Sequence, residues 1–202
     1  MERTRLRAGA VAFLLALGLA ASVSLETHRA DASVSIAVSW DALVGRSTAA
    51  AVVTPIEATA VWQEGRIFTY THVNVDRAIA GKLVTGGDAW VRTLGGVAGK
   101  IGQIVEGEAN LSPGAQSLLF LRDGPAGAFD VTARGQGQFG VTADGPQGQL
   151  RVVRNRAVGM LVPQALLSPQ AVPALAADVL EGLTVEEAAL RVALAWAQFH
   201  AR

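Results

Sequence analysis

No cysteine occurs among the 202 residues of this chain. That absence excludes disulfides, thiolate metal sites and cysteine nucleophiles together, along with the lipid anchor that bacterial lipoproteins attach to a cysteine at the signal cleavage point. Many small secreted domains lean on disulfides; this chain has to be held by packing alone. An excess of one charge is also lacking, since 17 basic residues balance 17 acidic ones. Setting aside the four arginines and three acids before residue 33 leaves 13 basic and 14 acidic residues. So even a balance gives no general attraction to nucleic acid or to an anionic membrane, and it excludes a nucleic-acid-binding role. Two catalytic signatures are missing as well. Without H-E-x-x-H the chain is not itself a zincin, and without G-x-S-x-G no elbow presents a serine nucleophile.

Long apolar runs are absent except at the start. Arg3, Arg5 and Arg7 precede an apolar core from Ala8 to Ala21, and Ala30-Asp31-Ala32 places small residues at the −3 and −1 positions of a cleavage site. This is the pattern of a signal peptide, and its core falls short of the roughly 20 apolar residues that a membrane span needs. Residues 1–32 are therefore expected to be removed, leaving 33–202 as a protein exported to the periplasm or the cell exterior; an uncleaved N-terminal anchor is the alternative. About 170 residues suit one domain with an ordinary core. The expected division is a β domain over 33–160 and a helical extension over 161–202 that packs on it.

The stretch from Val61 to Arg122 organises the rest. Glu64-Gly65 marks a turn, after which Arg66 to Ala80 reads as the longest strand. Ile67, Thr69, Thr71, Val73 and Val75 share one face, and Phe68, Tyr70, His72, Asn74 and Asp76 share the other. The β-branched set is expected to face the core. Before it, Ser39 to Arg46 suits one or two helical turns, and Ala49 to Ala60 reads as a strand. Pro55 inside that strand removes a ladder donor, so an edge or a bulge is expected there. After it come a strand from Ala89 to Leu94, a glycine-rich loop from Gly95 to Gln116, and the apolar strand SLLFLR. A loop this long without structure is commonly functional or mobile. Asp123-Gly124-Pro125 signals a turn. Ala128 to Ala133, Gln138 to Thr142 and Leu150 to Arg154 read as three short strands, a spacing that suggests a sandwich or barrel. Ile67, Val73, Val75, Val91, Leu119, Leu121 and Val131 are the expected core.

The texture changes from Pro163 onward. Ser168-Pro169 is a helix-start signal, with a short helix expected over Gln170 to Leu180 and Gly182 as its stop. Thr184 and Glu187 form a capping box. On a helical projection Val185, Ala188, Val192, Trp196 and Phe199 share one face, which is expected to dock on the β domain.

Several constellations suggest chemistry, and each has a plainer explanation. His72, Asn74 and Asp76 are placed for a metal or a proton relay, but further ligands would have to come from elsewhere, and a solvated strand face accounts for the trio. A hydrolase built on His72 and Asp76 is kept as an alternative. GGVAGKIG resembles a phosphate loop, yet Leu94 stands where the Walker spacing needs glycine and Ile101 where it needs Ser or Thr. Arg134, Arg151, Arg154 and Arg156 form a modest basic cluster that a solvated strand explains. Glu106 and Glu108 flank Gly107 and could hold a hard cation, though two loop carboxylates are a weak signal. Trp40, Trp62 and Trp90 could form a sugar-stacking surface, or simply belong to core and rim.

One resemblance rests on longer stretches of text. W-x-x-G-R-I-x-T-Y-T-x-V-x-V-D (Trp62 to Asp76), then V-R-T-L-G-G-x-x-G (Val91 to Gly99), S-P-G with L-L-F-L (Ser112 to Leu121) and G-Q-G-Q-F (Gly135 to Phe139) resemble a group of uncharacterised exported bacterial proteins over about residues 40–155. Relatives of that group sometimes accompany a matrixin-type metallopeptidase. The resemblance implies a barrel similar to the netrin or tissue-inhibitor-of-metalloproteinase module. Those inhibitors place an N-terminal cysteine on the enzyme's zinc, which this chain cannot do. The expected fold is therefore mainly β: a small, closed or partly open OB-like barrel of five to seven strands with a C-terminal helical tail. The expected function is a non-enzymatic, exported module that binds another protein or an envelope component. Its binding rim is expected at Gly95, Gly96, Gly99, Lys100, Gly102, Glu106 and Glu108, with no cofactor or metal. Regulation or inhibition of a secreted peptidase is the alternative.

Overall fold

A computed structural model describes residues 34–144, 148–162 and 174–201. The expected signal peptide and the Ser168-Pro169 helix start lie outside the described residues. Ala32–Arg202 forms one compact unit.

In chain order the elements are β1 (Val34–Ile36), α1 (Trp40–Gly45), β2 (Ala49–Gln63), β3 (Arg66–Gly81), β4 (Asp88–Leu94), β5 (Gly96–Ala98), β6 (Ile101–Gln103), β7 (Ser117–Asp123), β8 (Phe129–Val131), β9 (Gln138–Asp144), β10 (Gln149–Arg154), β11 (Met160–Val162), α2 (Ala176–Leu180) and α3 (Val185–His200). Strands β7, β2, β3, β4 and β8 lie side by side in that order, and β8 pairs back onto β7. The result is a closed five-stranded barrel, antiparallel except where β4 runs parallel to β8. This is an OB-like barrel. β7 divides one of its edges, giving Leu121–Asp123 to β8 and Ser117–Leu119 to β9. β9 and β10 thereby extend the sheet beyond the barrel as two further strands.

Period-2 alternation explains the interior. Ala49, Ala51 and Val53 of β2, Val73 and Val75 of β3, Val91 of β4, Leu119 and Leu121 of β7, and Phe129 and Val131 of β8 fill the barrel. All seven expected core residues are buried. The alternate residues of β2 and β7 (Ala50, Val52, Leu118, Phe120) point outward into a second core beneath the helices. SLLFLR is apolar throughout because both of its faces are covered. Pro55 coincides with a register shift between Pro55 and Glu57, the expected bulge.

The helices lie outside the barrel against β2, β7, β9 and β10. Trp40 meets Phe120 edge-on with centroids 5.9 Å apart, and Phe120 meets Phe139 at 6.2 Å. Ser39 caps α1 by accepting from the Ala42 N–H. The capping box of α3 forms, with Thr184 accepting from the Glu187 N–H and Glu187 accepting from the Thr184 N–H. Val185, Ala188 and Val192 dock as expected, joined by Ala189 and Ala195, while Trp196 is half-buried. Phe199 departs from expectation: it lies beside Gly45 at the end of α1 and stays 41 % exposed.

Three further expectations are corrected. The strand read over Ala128 to Ala133 shrinks to Phe129–Val131, because Ala133 and Arg134 both take φ of +56° and turn the chain into a 3-10 turn. The described helix before Gly182 covers only Ala176–Leu180. Finally, the loop 95–116 is not irregular throughout, since it contains the antiparallel β5–β6 pair.

Candidate functional site

The β2–β3 hairpin overshoots the barrel. β7 accompanies β2 only as far as Val53, after which β2 runs on beside β3 to the Gln63–Arg66 pair. Glu64 and Gly65 close it with φ of +51° and +78°, the sign that a two-residue turn between right-twisting strands requires.

The β5–β6 hairpin is clipped to the inner face of this overhang. Gly95 and Gly96 reverse the chain after β4 with φ of +102° and +124°, and a Cβ on Gly96 would collide with the Thr69 hydroxyl. That hydroxyl donates to the Gly95 carbonyl at 2.6 Å, and the Ile67 N–H donates to Gln103 Oε1 at 2.7 Å. Beyond β6 the chain returns across the barrel end, where Ala109 and Leu111 join the interior.

Between overhang, hairpin and returning chain lies an open cleft of about 660 Å³ at the barrel mouth. Thr69, Thr71 and Thr93 contribute to its lining, and so do Gly95, Gly96, Gly102, Glu106 and Glu108 from the expected binding set. Gly99 and Lys100 of that set form the β5–β6 turn and do not line it. Three apolar side chains that sequence reasoning missed stand on the hairpin and the segment after it, Val97 (70 % exposed), Ile101 (55 %) and Ile104 (91 %), and Trp62 (56 %), a candidate stacking residue in the sequence, stands on the overhang. The signal was present as apolar residues on either side of the Gly99-Lys100 turn.

Glu106 and Glu108 diverge. Glu106 is exposed, whereas Glu108 is half-buried, approaches Arg134 at 3.7 Å and accepts from the Ala109 N–H. Burial pushes the Glu108 carboxyl above its ordinary value, opposed by the Ala109 N–H and the Arg134 charge. Among the described residues no three His, Asp or Glu side chains are grouped for a metal.

The outer face of β3 and β4 carries the other candidates, and it separates them. His72 Nε2 lies 2.7 Å from Asp88 Oδ2, its Nδ1 is 3.8 Å from Glu57, and its ring stacks on Trp90 at 4.8 Å. Asp76 accepts from Thr54 at 2.6 Å and from Asn74 and Gln116 at 2.7 Å. His72 and Asp76 share no hydrogen bond among the described residues. Asp76 instead holds the end of the loop, through Gln116. The three tryptophans are likewise apart: Trp40 lies under the helices, Trp62 on the overhang, and Trp90 on the outer face. Of the basic cluster, Arg134 approaches Glu108, Arg151 approaches Asp144, and Arg154 approaches Glu181.

Two arrangements went unread in the sequence. Arg92 grips Asp130 with Nε to Oδ1 at 2.9 Å and Nη2 to Oδ2 at 3.2 Å, and lies over the Phe68 ring. The bidentate pair raises the Arg92 pKa and ties β4 to β8 where the barrel closes. G-Q-G-Q-F also acquires a physical meaning. Gln136 accepts from the Val38 N–H at 2.7 Å and donates to the Ile36 carbonyl at 2.9 Å, while Gln138 makes the same double contact with Asn110. Glycine is needed at both alternate positions: a Cβ on Gly137 would strike the Thr132 carbonyl oxygen, and one on Gly135 would press on the Val158 side chain and the Gly107 carbonyl.

No protein-family model matches the chain, and no curated protein or solved structure matches it either.

Proposed function

We propose that this chain is an exported, non-enzymatic binding module that grips another exported protein at the barrel mouth. One observation carries the reading: Val97 and Ile104 line a cleft of about 660 Å³, and both stand exposed, as do Ile101 on the same hairpin and Trp62 on the overhang. Single exposed apolar residues need no explanation, but a group of them around one opening is the mark of an interaction surface. The signal-peptide pattern of residues 1–32 supports export. Catalysis has no comparable support, because both ring nitrogens of His72 face carboxylates and no hydroxyl is bonded to it among the described residues.

The test is affinity capture from the native secretome and envelope with the full chain as expressed, compared with a Val97→Ser, Ile101→Ser, Ile104→Ser variant. Capture of a defined partner by the wild type and its loss in the variant, with an unchanged melting temperature, is the expected result. Capture indifferent to all three serines sinks the reading.

A secreted peptidase as the partner rests on the resemblance of Trp62 to Phe139 to a netrin-like module, together with the OB-like barrel and its docked helices. Slowed hydrolysis by a co-exported peptidase on addition of the protein supports it. Such inhibition would use the rim, since no cysteine is present to reach a zinc ion.

A further inference from the structure

The overhang leaves one strand edge open. From Glu57 to Gln63, β2 pairs only with β3; no other strand of the described residues lies along its outer side. Every side chain of this stretch is exposed except the half-buried Ala60. Protein strands of this kind are ordinarily blunted by lysine, proline, a covering loop or a bulge within the edge, because unpaired backbone groups template further pairing. Glu-Ala-Thr-Ala-Val-Trp-Gln contains no lysine and no proline, and the bulge at Pro55 precedes it.

We infer that this edge is a homodimer interface, in which residues 57–63 of two copies pair antiparallel about a twofold axis at Ala60. The segment is complementary to itself in that register. Ala58 comes opposite Trp62, so the smallest side chain faces the largest. Thr59 comes opposite Val61, a β-branched pair of the kind that stabilises cross-strand contacts. Glu57 comes opposite Gln63, whose neighbour within its own hairpin is Arg66. No like charges meet. An isologous contact of this kind closes at two copies and uses up this edge on both.

The faces agree with the register. Ala58, Ala60 and Trp62 lie on the inner side with Ile67 and Thr69, whereas Thr59 and Val61 lie on the outer side with Tyr70 and Phe68. β5 packs over the inner side close to Ala60 and so backs the edge without covering it. The dimer would join β4, β3 and β2 of each copy into one six-stranded sheet. The dimer takes up Trp62 of the overhang but none of Val97, Ile101 and Ile104, so the serine variant that tests the mouth leaves the paired edge unchanged.

Sedimentation velocity of the full chain over a wide concentration range tests it, with a concentration-dependent dimer expected. Thr59→Lys with Val61→Lys sets lysine opposite lysine across the axis and is expected to give monomer. Thr59→Lys with Val61→Glu sets opposite charges there and is expected to restore the dimer, which a mere folding defect would not do. Ala60→Cys, the sole cysteine in such a variant, is expected to form a disulfide-linked dimer on mild oxidation. A wild type that stays monomeric throughout overturns the inference. So does a dimer insensitive to the lysine pair, or an Ala60→Cys variant that does not cross-link.

Discussion

Gln138 treats Asn110 as a neighbouring strand would: the Asn110 N–H donates to its Oε1 at 2.8 Å, and its Nε2 donates to the Asn110 carbonyl at 2.5 Å. Asn155 Nδ2 also donates to that Oε1 at 2.8 Å. Gln138 is 6 % exposed, so its own amide depends on these partners rather than on water. One residue of β9 thereby holds the returning chain at the barrel mouth together with the segment after β10.

Replacing it should therefore be costly. Gln138→Leu keeps much of the volume but leaves a backbone N–H, a carbonyl and an amide unpartnered, at about 1–3 kcal/mol for each buried group that stays unsatisfied. A loss of at least about 2 kcal/mol is expected in chemical denaturation. Gln136→Leu, at a residue that is only half-buried, should lose less.

The glycines of G-Q-G-Q are expected to differ sharply from those of the hairpin. A Cβ on Gly137 would be driven into the Thr132 carbonyl oxygen, and the rigid backbone there has no room to give. Gly137→Ala should fail to fold or melt far below the wild type. Gly99, at φ +63° with nothing near its missing Cβ, should tolerate alanine at the left-handed conformational cost of about 1–2 kcal/mol. Melting curves of the two variants decide this.

At the start of α3, Thr184→Ala removes the side chain that accepts from the Glu187 N–H and should cost about 1 kcal/mol. Glu187 carries a pH signature. Hydrogen bonds from the Thr184 N–H and hydroxyl hold its carboxyl below the ordinary value. Its contribution is therefore complete above the unfolded-state pKa and is lost as pH falls through the lower folded value. Glu187→Gln should flatten the acid limb of stability against pH, and an unchanged limb would refute the assignment.

Glu108 should behave in the opposite sense. Burial raises its carboxyl above the ordinary 4.5, so the folded state holds this proton more tightly than the unfolded state does. Stability from this group is greatest at acid pH and declines as pH rises from about 4.5 through the higher folded value. In Glu108→Gln that decline should disappear, as denaturation midpoints between pH 4 and 7 would reveal. A wild type and variant with parallel curves would mean that the carboxylate is fully solvated at the mouth.

Much of the barrel was legible because its signals are local. The alternation from Ile67 to Val75 names the inward face of β3, since successive side chains of a strand must point to opposite sides. Pro55 announces the bulge, Glu64-Gly65 the turn, and Thr184 with Glu187 the cap, each through groups at most three residues apart. The candidate cleft was legible only in part. Glycines at 95, 96 and 102 marked the reversal of the chain, but the same text hid a hairpin whose strands are three residues long, too short for a period to register. His72 and Asp76 share a strand face, as their spacing requires, yet their partners Asp88 and Gln116 arrive from other segments.

By itself, then, the sequence determined the longer strands, their inward faces, the cap of α3 and the reliance on packing without disulfides, because period and turn chemistry act between near neighbours. Tertiary structure alone decided that Arg92 meets Asp130, that Gln136 meets residues 36–38 across almost a hundred positions, and that Gln138 meets Asn110. It also decided that β2 outruns β7 and, among the described residues, leaves Glu57–Gln63 with an open edge. Contacts of that kind exist only once β8 has closed onto β7, for closure sets which distant backbones come within hydrogen-bonding reach.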